Sequence, residues 1–228
     1  MSRLKGVRSL EGLMASPQHN SSQPADAGAK VVRPTAFQRS DEALVEAIVA
    51  GDVRARQELY DRYAPHLQRV LVRCLGAQRE IADATQDVFE QAFRSLSKLR
   101  DPTRLKAWLT RVAVYVARGR IRRARRGRWL RFFPPEQLPE RQAPATTQEA
   151  ADALEDTYRI LQSFGADERI AFALRFIEGM ELKEVADAAG CSLATIKRRL
   201  RRAEDAFVAA AKDTPSLRPW IEGGSRWD

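Results

Sequence analysis

The chain has 228 residues, and its Lys and Arg residues exceed its Asp and Glu residues by 39 to 30, which gives a net charge of +9. This length can bury the core of one large domain or of two small ones, and the basic excess favours a polyanionic partner such as nucleic acid. Cys74, Cys191, His19 and His66 lack the spacing of a zinc site or a disulfide framework, so we expect no metal, no cofactor and a reducing, cytoplasmic setting.

The apolar pattern argues against membrane insertion and secretion. No apolar run approaches the roughly 18 residues of a membrane helix, and residues 1–16 lack the apolar stretch of a signal peptide. Residues 1–40 mix Ser, Gln, Pro, Ala and Gly with no apolar period, which predicts a disordered N-terminal extension.

The first helices follow from apolar residues at three- and four-residue steps. Ser40 offers an N-cap for a helix that ends at Gly51, and a second apolar stripe runs from Ala55 to a stop at Gly76. We expect Pro65 to bend or restart this second helix. No segment shows the period of two that strands require, so the sequence predicts an all-α fold.

The next two helices carry opposite charge. Residues 41–93 contain 6 basic and 10 acidic side chains, a net of −4, whereas residues 94–126 contain 12 and 1, a net of +11. On the helix at 80–96, Asp83, Asp87 and Glu90 lie opposite the buried stripe, either as a solvated face or as a docking surface. After a loop at 99–104, in which Pro102 opens a helix, residues 105–126 combine an apolar stripe that includes Trp108 with an arginine-rich face.

The second half of the chain begins with a break in the helical pattern. Residues 127–150 contain several prolines and predict an extended linker. A second helical domain follows at 151–212, in which Asp167 is a candidate cap for a helix at 168–177, and residues 213–228 form a tail with Trp220 and Trp227.

Residues 179–207 predict a helix-turn-helix. Gly190 can adopt the left-handed conformation that ends one short helix, Ser192 can cap the next, and Cys191 between them is interpreted as core filler. Opposite the apolar stripe of the second helix lies a mostly cationic face, which suits a reader of the major groove. The alternative is a solvated, charged helical hairpin.

The segment GMELKEVADAAGCSLATIKRRLRRAE resembles the fourth conserved region of bacterial sigma factors of the extracytoplasmic-function (ECF) group. The order Asp83, Gln86, Asp87, Val88, Phe89 resembles the sigma region that docks on the clamp helices of RNA polymerase, and the aromatic and basic residues of 99–126 resemble the regions that bind the minus-ten element. The resemblance implies a sigma-two domain at 41–126 and a sigma-four domain at 151–212, joined by the Pro-rich linker.

The resemblance also implies partners and site residues. The partners are core RNA polymerase, double-stranded promoter DNA, single-stranded minus-ten DNA and an anti-sigma factor, and the protein acts as a monomer without catalytic residues. The polymerase site is Asp83, Gln86, Asp87 and Glu90. The minus thirty-five site is Ser192, Thr195, Lys197, Arg198, Arg201 and Arg202. The minus-ten site is Arg100, Arg104, Trp108, Arg111, Tyr115, Arg118 and Arg122.

Two other classes of function remain open on the sequence alone. A stand-alone helix-turn-helix regulator would bind operator DNA as a dimer, but this leaves the acidic helix and the linker unexplained. A nucleic-acid enzyme such as a recombinase would need an activated Ser or Tyr or a carboxylate metal cluster. Tyr115 has no neighbouring His in the sequence, and the carboxylates are concentrated where their charge repels DNA.

Overall fold

The computed structural model of the chain describes residues 39–76, 80–130 and 148–218. Within these ranges the regular structure is helical without strands, as the sequence predicts. The α-helices, in order, are α1 (Asp41–Val49), α2 (Val53–Leu75), α3 (Ile81–Ser95), α4 (Leu105–Leu130), α5 (Gln148–Ser163), α6 (Ala166–Phe172), α7 (Leu182–Ala189) and α8 (Leu193–Lys212). None of the helices in these ranges is long and apolar enough to span a bilayer. Residues 1–38 of the predicted N-terminal extension, residues 131–147 of the predicted 127–150 linker, and Trp220 and Trp227 lie outside the described residues, whereas the last three linker residues, 148–150, belong to α5.

Side-chain caps fix the first two helices. The Ser40 hydroxyl accepts a hydrogen bond from the backbone N–H of Ala43 at 3.2 Å, which confirms the predicted cap of α1. Asp52 caps α2 by accepting from the backbone N–H of Arg54 at 2.8 Å. The Asp41 carboxylate then accepts from the Tyr63 hydroxyl at 2.7 Å, so the two helices are joined by side chains as well as by their apolar faces.

Helix α2 continues through Pro65, so the predicted restart does not occur. Proline removes one backbone donor, which leaves the carbonyl four residues earlier, at Asp61, without its helical partner. Both Pro65 and Asp61 lie on the exposed face, where water can hydrogen-bond that carbonyl. The buried positions Leu59 and Leu67 on either side of Pro65 keep the two halves of α2 on one core.

Helices α2, α3 and α4 form the core of the N-terminal bundle, and α1 packs on α2. A short 3-10 turn at Pro102–Arg104, capped by Asp101, leads into α4, as expected from Pro102. Helix α4 extends to Leu130, four residues into the predicted linker. Proline, the residue that stops a helix most strongly, first occurs downstream at Pro134, and Gly127 alone does not end α4.

The C-terminal domain contains α5 to α8 around buried aromatic rings. Phe172 and Phe207 are fully buried with their ring centroids 4.9 Å apart. Helix α6 begins at Ala166 after Gly165 and continues into a π-helical turn at Ala173–Ile177. Asp167 therefore lies in the first turn and is not the cap, which corrects the sequence prediction.

The two helical domains pack against each other. Helix α4 contacts α6 and α7, and α2 contacts the π-helical turn. The basic helix of the N-terminal domain consequently lies beside the predicted helix-turn-helix, a juxtaposition that the local sequence pattern does not contain.

Candidate nucleic-acid interface

The helix-turn-helix has the predicted geometry. Gly190 ends α7 in the left-handed conformation, with φ 66° and ψ 40°, and the Ser192 hydroxyl accepts from the backbone N–H of Thr195 at 3.2 Å to open α8. Buried Ala186 allows the two helices to approach closely, and Ile196 and Leu200 fill the contact. Because Ser192 caps α8, its hydroxyl is already engaged in the fold.

The outward face of α8 is cationic and open. Lys197, Arg198, Arg201 and Arg202 are all exposed, and none of them pairs with an acidic side chain among the described residues. Thr195 is half-buried at the edge of this face, where its hydroxyl lies 2.9 Å from that of Ser192. Four adjacent free cations, on a helix that is fixed at its first turn, form a surface that can approach a phosphate backbone and base edges.

Arg199 on the same helix points the other way. It lies one turn after buried Ile196 and is itself half-buried. Its guanidinium is 3.3 Å from an Asp167 oxygen and donates to the Cys191 sulfur at 3.4 Å. Cys191 is therefore only partly the core filler that the sequence indicates.

The predicted minus-ten residues of α4 lie along one stripe. The stripe begins at Arg104, the last residue of the 3-10 turn, and continues along α4 at steps of three or four residues. Its members are Arg104, Trp108, Arg111, Tyr115, Arg118 and Arg122. Tyr115 is 64% exposed, whereas Trp108 packs partly against the core. Arg100 is exposed in the preceding loop.

Four arginines of this stripe meet the C-terminal domain. Arg118 binds Asp167 at 2.8 Å and donates to the backbone carbonyl of Ala189 at 2.9 Å. Arg122 also reaches Asp167, at 3.4 Å, and Arg104 binds Asp187 at 3.2 Å. The Arg111 guanidinium lies so close to Gly190 that a Cβ added there would be 3.2 Å from it.

Asp167 connects the two basic helices through ion pairs that the sequence pattern does not predict. It accepts a hydrogen bond from Arg122 of α4 and forms ion pairs with Arg118 of α4 and Arg199 of α8, so one carboxylate joins two basic helices. A cleft of about 650 Å³ surrounds these contacts and is also lined by Tyr115, Arg123 and Arg126. In the sequence, Asp167 is recognisable only as an acidic residue near the start of a helix, and that pattern is equally typical of a helix cap.

The predicted polymerase-binding face on α3 is exposed but not uniformly free. Asp83, Gln86, Asp87 and Glu90 all reach solvent. Asp87 pairs with Arg120 of α4 at 2.6 Å, and Gln86 donates to Glu90 at 3.2 Å. Asp83 has no ion pair or hydrogen bond with any described residue. Within the described part of the chain, Asp83 is thus the residue of this face without an intramolecular partner.

Titratable side chains in the N-terminal core are held in their neutral forms. Burial, with Lys106 and Arg69 nearby, lowers the pKa of His66 to about 4, and its ring lies 2.8 Å from the Thr110 hydroxyl. Burial raises the pKa of the Cys74 thiol to about 12, so that thiol is unreactive. Among the described residues, no three His, Cys, Asp or Glu side chains are grouped as metal ligands.

Comparisons with known proteins give the same two domains. The sigma-70 region 2 family model matches residues 59–127, and the sigma-70 region 4 model matches residues 154–206. The RNA polymerase sigma-H factor of Pseudomonas aeruginosa is 29% identical over 191 residues, covering 79% of this chain and 97% of that protein. The ECF RNA polymerase sigma-E factor of Escherichia coli strain K12 is 27% identical over 185 residues, covering 75% and 93%.

Solved structures share the fold. CnrH in complex with the cytosolic domain of CnrY has a TM-score of 0.52 at 24% identity, covering 77% of this chain and 99% of that one. The sigma factor RpoE in complex with the anti-sigma factor NepR from Bartonella quintana has a TM-score of 0.53 at 21% identity, covering 71% and 99%.

Proposed function

Because the chain belongs to the extracytoplasmic-function group of the sigma-70 family, we propose that its two basic helices divide promoter recognition between them. The protein is a sigma factor, which acts with RNA polymerase in promoter recognition and transcription initiation. In this division α8 reads the minus thirty-five element as a duplex, and α4 with its preceding loop binds the minus-ten element as it opens.

The observation that carries the proposal is the free cationic face of α8. Arg198 projects opposite the buried Ile196 and Leu200 stripe, where a side chain can reach base edges in the major groove. Its guanidinium can donate two hydrogen bonds to guanine, whereas Lys197 toward the flank is placed for phosphate. Arg201 and Arg202 extend the same surface along the groove, and Ser192 and Thr195 border it where α8 begins.

For the minus-ten element, the proposal rests on Tyr115 and the arginines beside it. An exposed aromatic ring can stack on an unpaired base, and arginines on either side can bind the strand's phosphates. Tyr115 has Arg111 one turn before it and Arg118 one turn after it, and Arg100 and Arg104 extend the surface toward the loop. Trp108 packs partly against the core, so in this proposal it supports the DNA-binding surface from below. The exposed part of the Trp108 ring borders that surface.

For polymerase docking, we propose the acidic face of α3 that consists of Asp83, Gln86, Asp87 and Glu90. Free carboxylates attract a basic partner surface and set its orientation. Asp87 and Glu90 also pair with Arg120 and Arg94, so they combine docking with an intramolecular role, and Gln86 donates a hydrogen bond to Glu90.

Two statements about partners are proposed by similarity. CnrH was solved in complex with the cytosolic domain of CnrY, and RpoE in complex with the anti-sigma factor NepR. We propose that an anti-sigma factor binds this chain too. We also propose a cytoplasmic monomer that contributes no catalytic residue of its own.

In vitro transcription of a promoter library with purified core polymerase tests this proposal. The expected result is initiation from a subset of promoters that share two separated sequence blocks. A gel shift without polymerase tests the alternative of a stand-alone regulator. Tight, sequence-specific binding by the chain alone, unchanged by core polymerase, would support the regulator instead.

A further inference from the structure

The cleft beside α4 has the size and the charge of a site for a small anionic ligand. Its volume of about 650 Å³ lies within the range of about 300–1,000 Å³ that is typical of small-molecule sites. Among the described residues, six arginines and two carboxylates line it, which leaves an excess of four positive charges. The lining includes Asp87 of α3, Asp167 of α6 and Gly190 of the helix-turn-helix, so several elements of the fold bound the cleft beside α4.

The cleft is preformed, because apolar packing fixes the elements around it. Ala117 and Ile121 of α4 and Ile170 of α6 are buried members of one apolar cluster that includes both domains. Arg118, whose side chain is only 20% exposed, forms an ion pair with Asp167 at 2.8 Å in the wall of the cleft. A site whose walls are already fixed loses little conformational entropy when a ligand binds.

One face of α4 carries an aromatic ring and arginines that line the cleft, with an open gap between them. Its members, Tyr115, Gly119, Arg122 and Arg126, follow one another at steps of three or four residues. The Tyr115 side chain is 64% exposed, and a Cβ added to Gly119 would meet no atom within 4 Å. Glycine is a poor helix former, so Gly119 keeps this gap open at the expense of helix stability.

The arginines beyond the gap are available to an anion. Arg123 and Arg126 are exposed and pair with no acidic side chain in the described ranges. The Arg122 side chain is 58% exposed, and its contact with Asp167 is 3.4 Å long, so solvent screens that pair. With a rise of 1.5 Å per residue, Arg122 and Arg126 lie about 10 Å and about 16 Å along the helix from Tyr115. This length matches that of an extended nucleotide from its base to its last phosphate.

We propose that the cleft binds a nucleotide that carries at least two phosphates. The base stacks on Tyr115, and the sugar lies over Gly119. The phosphates bind Arg122, Arg123 and Arg126, because a guanidinium can donate two parallel hydrogen bonds to phosphate oxygens. Stacking on an aromatic ring accepts every base, so this site selects a nucleotide over an inorganic anion without selecting among bases.

This ligand goes beyond the proposed function and does not depend on it. The ring and arginines that can receive an unpaired base of a DNA strand can also receive the base and phosphates of a free nucleotide. Neither polymerase nor promoter DNA takes part in that binding. The two proposals can therefore fail separately.

Calorimetric titration of the full chain with ATP, GTP and inorganic triphosphate tests the site at fixed salt without polymerase. We expect ATP or GTP to bind saturably below about 1 mM. Inorganic triphosphate should bind about fivefold more weakly or worse, because it has no base to stack on Tyr115.

Gly119→Leu is the decisive variant, because leucine fills the gap without changing the charge. It should weaken nucleotide binding by about tenfold or more through steric exclusion, while α4 persists because leucine is the better helix former. Ala209→Leu is the matched control, since Ala209 is exposed on α8 and does not line the cleft.

Arg126→Gln tests the phosphate end of the site. It should weaken nucleotide binding by about tenfold, because a charge-assisted hydrogen bond is lost. Arg54→Gln removes the same charge from the exposed surface of α2, away from the cleft, and should leave the affinity unchanged. Circular dichroism checks that each variant retains the helix content.

The proposal is overturned if Gly119→Leu binds nucleotide as tightly as Ala209→Leu does. It is also overturned if inorganic triphosphate binds as tightly as ATP and GTP, since the cleft would then attract anions without selecting a nucleotide. If neither nucleotide binds below about 1 mM, but a single-stranded oligodeoxynucleotide binds and Gly119→Leu weakens it, this face of α4 is a DNA surface only. Failure of the proposed function is a separate result, because it appears as absence of transcription with core polymerase whatever the titrations give.

Discussion

Helices α4 and α8 are both amphipathic and strongly basic, yet the arginines at the centre of their proposed DNA surfaces have different surroundings. Arg198, Arg201 and Arg202 of α8 are exposed and pair with no acidic residue among those described, whereas Arg118 of α4 is held by Asp167 and a backbone carbonyl. The difference comes from position in the fold. Helix α8 lies at the surface of a small domain, and α4 contacts α2, α3, α6 and α7. A cationic pattern therefore locates the face of a helix but not the partner that covers it.

The largest effect on stability is expected from a cavity on the buried side of α8. Phe207 is 1% exposed and packs against Phe172, so Phe207→Ala should lower the free energy of unfolding by about 3–5 kcal/mol. Arg198→Ala, on the opposite face of the same helix, should change it by less than about 0.5 kcal/mol. Urea denaturation followed by circular dichroism measures both. Equal losses would show that Arg198 belongs to the fold and not to a free surface.

The next effect concerns how the free face of α8 reads DNA. Arg198→Ala should remove about 1–3 kcal/mol of discrimination at one or two positions of the minus thirty-five element, because a bidentate contact to guanine is lost. Lys197→Ala should instead weaken all promoters about equally and reduce the salt dependence of binding. A promoter library transcribed with each variant and wild type separates the two. A uniform decrease with Arg198→Ala would mean that α8 is oriented differently in the groove.

A smaller effect separates polymerase docking from both basic helices. Asp83→Arg should weaken core polymerase binding by about tenfold, since a charge reversal opposes a basic partner surface. Asp87→Arg is a poorer test, because Asp87 also pairs with Arg120 of α4. Pull-down of core polymerase gives the readout, with Asp61→Arg as the charge-matched control. If a folded Asp83→Arg protein pulls down as much core polymerase as the control does, this face of α3 is exposed to solvent and does not bind polymerase.

The smallest effect is a pH dependence of stability that comes from His66 of α2, whose ring contacts the Thr110 hydroxyl of α4. The pKa of His66 is about 4 in the folded chain against 6.5 for the free side chain, so the unfolded chain binds a proton first as pH falls. The contribution of neutral His66 to the free energy of unfolding should be fully present above pH 6.5 and should be lost as the pH falls toward 4. Its size should be on the order of 1 kcal/mol, because His66 keeps partial contact with solvent. Unfolding of wild type and His66→Gln across this range isolates the contribution. If the stabilities of wild type and His66→Gln change in parallel with pH, His66 is not the source of the pH dependence.

The sequence predicts what is determined locally. The Ser40 cap, the left-handed Gly190, the Ser192 cap and the outward face of α8 each depend on residues within a turn or two, and all four are present. The Asp167 contacts with Arg118 and Arg122, and the contact of Arg169 with Cys74, join residues 45 to 95 positions apart. No local pattern encodes which helix lies opposite another, so Asp167 was predicted as a cap.

The most direct test of the two-helix account is photo-crosslinking from each helix to promoter DNA. A photoreactive phenylalanine analogue replaces Tyr115 in one protein and Arg198 in another. We expect position 198 to crosslink within the minus thirty-five element, weakly alone and strongly with core polymerase, and position 115 to crosslink within the minus-ten element only when core polymerase is present. Equal crosslinking from position 115 with and without polymerase, or crosslinking from it to the upstream element, would contradict the account.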